Sequence, residues 1–245
     1  RRKIKERTEV LKLTSALKNF SSFFFSLTNI SDKIKNKDKG EKMGDKLSEI
    51  LAQGEKRIIG QNRYITSAVL IAIVEIDGKE YIILEKRALH IRQGGEISFP
   101  GGKFDKEDIT TEYTAIRETI EELGVAREKI NLKGKFGSLV SPNGIILEVY
   151  VGYVDIKSID ELNYNIDEVE KVLLVPLEFF QENTPRMEKI EMENRPLFST
   201  SELRLPARYG NSWLGRAREV YFYNYQGEII WGLTAEIIHE FNSSI

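Results

Sequence analysis

Cysteine is absent from this 245-residue sequence, and histidine occurs only at His90 and His239. Without thiols the chain has no disulfides, no cysteine–zinc sites and no thiol nucleophile. With so few imidazoles, a histidine-rich metal site and a Ser-His-Asp triad are both poorly supported. The scarcity of thiols and imidazoles therefore argues against thiol, zinc and Ser-His-Asp catalysis, and carboxylates become the main candidates for catalytic residues.

Long apolar runs and an excess of one charge are missing as well. No segment approaches the ~20 apolar residues that a membrane-spanning helix needs, and the basic start lacks the apolar core and cleavage site of a secretory signal. The formal net charge is −2, which gives no general electrostatic reason to bind nucleic acid or a membrane. We therefore expect a cytoplasmic protein that binds neither.

The N-terminal stretch differs in character from the rest of the chain. Residues 1–42 combine loosely helical apolar spacing, a Ser- and Phe-rich run and a charged linker, which predicts a helical extension followed by a linker. The extension could lie on a membrane surface, but packing on its own domain or on a second subunit is favoured, which leaves a homodimer open. We expect residues 43–245 to form the main domain and residues 1–42 to be dispensable for its activity.

Strands, turns and helices alternate through the main domain. Buried strands joined by turns such as Asp77-Gly78 indicate a sheet, and helices before, within and after the strands predict an α/β (α+β) fold with a mixed sheet between helical layers. The predicted strands are 67–76, 80–87, 135–140, 148–154, 169–176, 219–225 and 228–231. The predicted helices include 177–182 and 232–241, and residues 183–210 are expected to form a long irregular loop.

The stretch Phe99–Val125, FPGGKFDKEDITTEYTAIRETIEELGV, carries the strongest functional signal. Its two glycines allow close approach of the backbone to a ligand, and the helix that follows places Glu118, Glu121 and Glu122 on one face. Oxygen ligands of this kind suit a hard cation, Mg²⁺ or Mn²⁺, and Arg117 can orient one of the carboxylates. A solvated acidic helix face is the alternative explanation of the glutamates alone.

The whole stretch resembles the Nudix box, the signature of the Nudix hydrolases. Arg117–Val125 matches the second half of the box. Two positions depart from it: eight residues rather than seven separate Asp108 from Arg117, and Thr119 occupies a usually apolar position. The resemblance implies an α/β/α sandwich with a central mixed β-sheet, with residues 43–245 as the Nudix hydrolase domain and the box at about residues 101–125.

Three further segments are similar to the coenzyme A pyrophosphatase branch of that family. They are LEKRALHIRQGGEISFPGG at 84–102, SPNG at 141–144 and IWGLTA at 230–235. This similarity implies coenzyme A or a derivative as the substrate, with 4′-phosphopantetheine and 3′,5′-bisphosphoadenosine as products. Other small-molecule nucleotides, such as ADP-ribose or NADH, remain open, as does a catalytically silent module that only binds a nucleotide.

Arginines near the box are candidate substrate contacts. Arg87 and Arg92 could each hold a phosphate bidentately, with a surface salt bridge as the alternative for each. By the resemblance, Ser141 and Asn143 in the SPNG turn would also contact the substrate.

The expected metal ligands are Glu118, Glu122 and Glu121, with a backbone carbonyl near Gly102. A water molecule would attack one phosphorus in line while a carboxylate accepts its proton. Three residues are open as that base: Glu121, Glu168 and Glu170. Arg117 would act by orienting the metal-binding carboxylates.

Overall fold

A mixed β-sheet forms the centre of the protein in this computed structural model, which describes residues 58–245. The expected extension and the boundary at residue 43 lie outside these residues. Seven strands form the sheet in the described part of the chain: β1 (Ile65–Ile76), β2 (Lys79–Arg87), β3 (Ile97–Ser98), β4 (Gly101–Lys103), β5 (Ile130–Ser141), β6 (Ile145–Val154) and β7 (Val169–Pro176).

The sheet is mixed because β1 runs parallel to β6, whereas the other pairs are antiparallel. Its main path is β3-β2-β1-β6-β5, with β4 also paired to β1 and β7 to β2. The predicted β1–β2 hairpin is confirmed, and both turn residues, Asp77 and Gly78, have positive φ. Strand β5 begins five residues earlier than expected, because register shifts beside Gly134 and Gly137 let pairing with β6 continue.

Helices cover both faces of this sheet, as expected for an α/β/α sandwich. They are α1 (Thr111–Leu123), α2 (Leu177–Glu182) and α3 (Gly232–Asn242). Ala115 and Leu123 of α1 pack in one core with Ile83 of β2. Phe180 of α2 and Ile238 of α3 pack in the core that contains Leu84. Successive β2 side chains thus enter opposite cores, which follows from the two-residue repeat of a strand.

The region after α2 contains more strand than the sequence indicated. In the described residues β8 (Arg186–Ile190) joins β11 (Arg218–Tyr225) and β12 (Glu228–Trp231) in a three-stranded sheet, and β9 (Glu193–Asn194) pairs with β10 (Trp213–Leu214). The prediction of an irregular loop over 183–210 is therefore wrong for β8 and β9. All five β8 residues are exposed, so the strand has no alternation of buried and exposed positions. Among residues 58–245 no helix is long and apolar enough to cross a membrane.

Candidate active site

Helix α1 is fixed at both ends by local interactions. At its start, the Thr110 hydroxyl accepts a hydrogen bond from Tyr113 N at 3.1 Å, which is a conventional N-cap. At its end, Gly124 has φ of 65° and lies so close to Asn163 that a Cβ atom would collide with the carbonyl of that residue. Asn165 N then donates to Glu122 O at 2.9 Å. These contacts hold the loop before β7 against the end of the helix.

The two glycines of β4 bring the backbone against the acidic side chains of α1. A Cβ atom at Gly102 would collide with the carboxyl group of Glu118, and one at Gly101 would collide with the backbone of β1. Gly101 N donates to Glu122 Oε2 at 2.7 Å. Only glycine therefore permits β4 to lie between β1 and the carboxylates of Glu118 and Glu122.

Arg117 is surrounded by three carboxylates, and these four residues are called the Arg117 cluster. Its Nε and Nη2 donate to the two Asp108 oxygens, both at 2.9 Å, while Nη2 lies 2.9 Å from Glu118 Oε1 and Nη1 lies 2.9 Å from Glu121 Oε2. The bonds from Arg117 hold the pKa of Asp108 well below its usual range and raise that of Arg117. Asp108, the acid in the first half of the box, is thus a buried partner of Arg117.

The other departure from the box also has a local explanation. Thr119 is fully buried, but its hydroxyl donates to Ala115 O, one turn earlier, at 2.7 Å. Because this bond satisfies the hydroxyl within the helix, threonine fits a position that is otherwise apolar.

A second acidic group adjoins the Arg117 cluster, and it is called the Glu85–Glu122 pair. Glu85 is fully buried and Glu122 is 3% exposed, and the two carboxyl groups share the same guanidinium, that of Arg87, at ion-pair distance. Burial raises the pKa of Glu85 to about 8. Burial, followed by the charge of Glu85, raises the pKa of Glu122 to about 9. Burial also raises the pKa of Glu118, against the opposing charge of Arg117.

The Glu85–Glu122 pair has little compensating positive charge. Arg87 Nη1 lies 3.7 Å from Glu85 Oε1 and 3.9 Å from Glu122 Oε1, too far for hydrogen bonds. Ser98 Oγ donates to Glu85 Oε1 at 3.3 Å, but Glu85 Oε2 is buried with no hydrogen-bond partner in the part of the chain that the structure describes. The sequence reasoning missed Glu85, although a carboxylate directly after the apolar run Ile82-Ile83-Leu84 was a signal that could have revealed it.

The three candidate bases lie in different surroundings. Glu168 precedes β7, and its carbonyl accepts a hydrogen bond from Ala88 N at 2.8 Å; its charge also contributes to the raised pKa values of Glu85 and Glu118. Glu121 is half-exposed and bound to Arg117. Glu170 forms an ion pair with Lys86 at 3.3 Å. The structure therefore brings Glu168 to the acidic site and places Glu170 in a separate ion-pair group.

The expected substrate contacts are also separated. Arg87 turns toward the Glu85–Glu122 pair, and its Nε donates to Arg92 O at 3.3 Å. Arg92 itself is exposed in the loop between β2 and β3. Ser141 is buried at the end of β5, and its hydroxyl accepts a hydrogen bond from Asn143 N at 3.3 Å. This turn adjoins the start of β1, where Ile65 N donates to Gly144 O at 2.8 Å.

The carboxylate and backbone oxygens near β4 are donors that suit a hard divalent cation, although they do not converge on one point in this structure. Within residues 58–245, no three acidic or histidine side chains converge as a ready ligand set, because Glu118 faces Arg117 and Glu122 binds Gly101 N. The available donors are carboxylate and backbone oxygens, which Mg²⁺ and Mn²⁺ prefer. Glu85 Oε2 is a buried oxygen that still lacks a partner.

Comparison with known proteins agrees with this geometry. The NUDIX domain family model matches residues 65–195, more than half of the chain. Nudix hydrolase 3 of Caenorhabditis elegans is 30% identical over 223 residues, which cover 88% of each chain. An uncharacterized Nudix hydrolase NudL of Photorhabdus laumondii is 33% identical over 186 residues, 76% of this chain and 86% of its own. The chain therefore belongs to the Nudix hydrolase family, whose members are enzymes that generally use divalent cations.

Two other similarities are more limited. The mouse protein named peroxisomal coenzyme A diphosphatase NUDT7 is 32% identical over 114 residues, 46% of this chain and 48% of its own. The crystal structure of a MutT/nudix family protein from Enterococcus faecalis aligns over 87% of this chain and 73% of its own, with 14% identity and a TM-score of 0.44.

Proposed function

We propose that the protein uses Mg²⁺ or Mn²⁺ to hydrolyse the pyrophosphate bond of coenzyme A or one of its derivatives. One observation carries the reaction type: β4 holds the Glu118 and Glu122 carboxylates against Gly101 and Gly102. Such a site combines oxygen donors for a cation with an accessible backbone beside them. A substrate pyrophosphate carries concentrated negative charge, which a cation at this place would neutralise.

The metal ligands in this proposal are Glu118 and Glu122, with Glu121 and the Gly102 carbonyl completing the set. When bound, the cation supplies positive charge to the pyrophosphate oxygens and lowers the pKa of the attacking water. Arg117 binds Glu118 and Glu121 at 2.9 Å, and it thereby sets the direction of both carboxylates. Its own position is set by the two bonds to buried Asp108.

Glu168 is the residue that we assign as the general base. It is close enough for its charge to act on Glu85 and Glu118, and no salt bridge holds its side chain among the ion pairs of the described residues. Glu121 and Glu170 are each engaged by a cation, Arg117 and Lys86 respectively, which weakens them as proton acceptors.

Coenzyme A is proposed as the substrate on two grounds. The segments 84–102, 141–144 and 230–235 resemble that branch of the family, and one relative is named as a coenzyme A diphosphatase. Exposed Arg92 is free to reach a phosphate of the substrate, with Arg87 behind it and with Ser141 and Asn143 as further contacts. Arg87 is also the nearest cation to the Glu85–Glu122 pair, so it would serve the substrate and the metal site together.

A substrate panel tests this proposal. Coenzyme A, ADP-ribose, NADH, diadenosine polyphosphates and nucleoside triphosphates would be incubated with Mg²⁺ or Mn²⁺, and the products identified by mass spectrometry. We expect preferential release of 4′-phosphopantetheine. Preferential cleavage of ADP-ribose or NADH would contradict coenzyme A as the substrate but would agree with hydrolysis of a pyrophosphate bond. Tight nucleotide binding without cleavage would contradict the proposal that the protein is an enzyme.

A further inference from the structure

We propose that Glu85, which lies on β2 outside the box, is a further carboxylate ligand of the divalent cation. The inference rests on the proposed function, because it adds a residue to the same metal centre. It starts from one observation: among residues 58–245, Glu85 Oε2 is a buried oxygen without a hydrogen-bond partner, and its carboxyl group shares the Arg87 guanidinium with that of Glu122.

The strand geometry directs Glu85 toward helix α1. Side chains of β2 alternate between the two cores, and Ile83 packs in the core that also contains α1 residues. Glu85, two residues further, projects from the same face. Its backbone pairs with Ser98 on one side and Val172 on the other. The position is therefore rigid, which suits a metal ligand better than a flexible surface carboxylate would.

The positive charge near Glu85 is small compared with the number of buried carboxyl groups. Two buried carboxylates share one guanidinium, Arg87, whose Nη1 is 3.7 and 3.9 Å from their nearest oxygens. Burying charge without a close partner is costly. A divalent cation bound by Glu85 and Glu122 would balance both charges and supply the missing partner of Glu85 Oε2.

On the other face of β2, carboxylates are paired with lysine side chains of the protein itself. Lys86 lies 3.3 Å from Glu170 and 3.4 Å from Glu228, and Lys171 lies 2.6 Å from Glu228. These carboxylates have lysines at ion-pair distance and need no bound ion. The adjacent residue, Glu85, has no lysine partner in the described structure, and its ion-pair partner Arg87, at 3.7 Å, is shared with Glu122.

Calorimetric titration of the full-length protein with Mn²⁺ alone, near neutral pH, tests the inference. We expect Glu85→Gln to weaken Mn²⁺ binding tenfold or more, at about the size expected for losing a supporting metal contact. The matched control is Glu80→Gln, on the same strand, where Glu80 accepts a hydrogen bond from Tyr153. Its Mn²⁺ affinity should equal that of the wild type. Equal affinity in Glu85→Gln would overturn the inference.

Two companion variants separate the possible failures. Glu122→Gln should lose Mn²⁺ binding; if it does while Glu85→Gln binds normally, the metal centre stands and only the role of Glu85 is refuted. If both variants bind Mn²⁺ as the wild type does, the proposed function itself fails. Should Glu85→Gln not fold, Glu85→Asp keeps the charge and withdraws the oxygens by one methylene, and unchanged affinity in that variant would likewise overturn the inference.

Discussion

The two acidic groups beside α1 differ in how their charges are balanced. In the Arg117 cluster, one guanidinium makes contacts of 2.9 Å with Asp108, Glu118 and Glu121. In the Glu85–Glu122 pair, the nearest guanidinium atom is 3.7 to 3.9 Å away and one carboxylate oxygen has no partner. The first group is electrostatically complete, whereas in the described residues the second has one more distant guanidinium for two buried carboxyl groups, and we propose that a bound cation balances their charge.

This difference assigns separate tasks to neighbouring residues of one helix. Arg117 and Glu121, one turn apart, lie in the complete group, while Glu122 lies in the incomplete one. Glu118 belongs to the complete group through its bond to Arg117, but its carboxyl group also packs against Gly102, beside the incomplete group. In our proposal, Arg117 and Asp108 of the complete group orient the site, and the incomplete group provides the principal ligands of the cation. Substitutions in the two groups should therefore have different consequences for activity, stability and pH dependence.

The largest effect is expected for Glu122→Gln. Removing this carboxylate should lower kcat on the order of 1,000-fold, since each ~1.4 kcal/mol of lost transition-state stabilisation costs a factor of ten. At alkaline pH, where both carboxyl groups ionise in the metal-free protein, the variant should unfold at the same temperature as the wild type or higher, because repulsion with Glu85 is relieved. Steady-state kinetics and thermal unfolding measure the two effects. Near wild-type turnover would refute the metal assignment.

The next effect concerns the proposed base. Glu168→Gln should lower kcat by about 100-fold, the scale of general base catalysis, while leaving Mn²⁺ affinity close to that of the wild type. Glu170→Gln is the matched control, because Glu170 pairs with Lys86 away from the acidic site. If Glu170→Gln impaired turnover more than Glu168→Gln, the assignment of the base would be reversed.

Breaking the complete group should mainly affect stability. Arg117→Ala leaves Asp108 with its side chain 1% exposed and without its charge partner, so the free energy of unfolding should fall by about 3 kcal/mol. The control Arg186→Ala removes an exposed ion pair with Glu188. It should change the free energy of unfolding by about 0.5 kcal/mol or less. Chemical denaturation compares the two variants, and equal losses would contradict the structural role of Arg117.

The two groups should also respond to pH in opposite directions. The pKa of Asp108 is lowered by folding, so its contribution is present above about pH 4 and is lost as the pH falls further. The pKa values of Glu85 and Glu122 are raised to about 8 and about 9. Their contribution to the metal-free protein is therefore present below about pH 4 and is lost as the pH rises through 8 to 9.

The measurement is the thermal unfolding temperature of metal-free protein across this pH range. We expect it to decrease from mildly acidic to mildly alkaline pH, by several degrees for each ~1 kcal/mol lost, and Glu85→Gln should flatten the decrease. A profile that Glu85→Gln leaves unchanged would show that the Glu85–Glu122 pair is not its source.

The smallest effect is expected for Glu121→Gln. Its side chain is 53% exposed and makes a surface ion pair with Arg117, so the free energy of unfolding should change by about 0.5 kcal/mol or less. Turnover should fall far less than in Glu122→Gln, which is the matched control one residue away. A loss as large as that of Glu122→Gln would make Glu121 a principal ligand of the cation rather than one that only completes the set.

Local sequence signals predicted much of the fold. Asp77-Gly78 predicted the β1–β2 turn, because this turn requires a backbone conformation that glycine favours. The strand β8 could not be predicted in the same way, because all of its residues are exposed and it forms through pairing with β11, some thirty residues later. Long-range pairing leaves no periodic pattern in such a segment.

The site was predictable where its residues are close in sequence. Glu118, Glu121 and Glu122 follow from helical spacing, but spacing could not reveal that Arg117 binds Asp108 and Glu121 while Glu122 turns toward Glu85. Glu85 is distant in sequence from α1 and enters the site only through the pairing of β2 with its neighbours. Glu168 and Glu170 differ by two residues, yet only the structure shows that Glu170 pairs with Lys86.

The location of Mn²⁺ in crystals of the wild-type protein, read from its anomalous scattering, tests the contrast between the two groups most directly. We predict a peak beside Gly101 and Gly102, within about 2.3 Å of carboxylate oxygens of Glu122 and Glu85, the distance range of hard cations and oxygen ligands. A peak bound by Asp108 and Glu121 instead, with Glu122 and Glu85 left unliganded, would contradict the account.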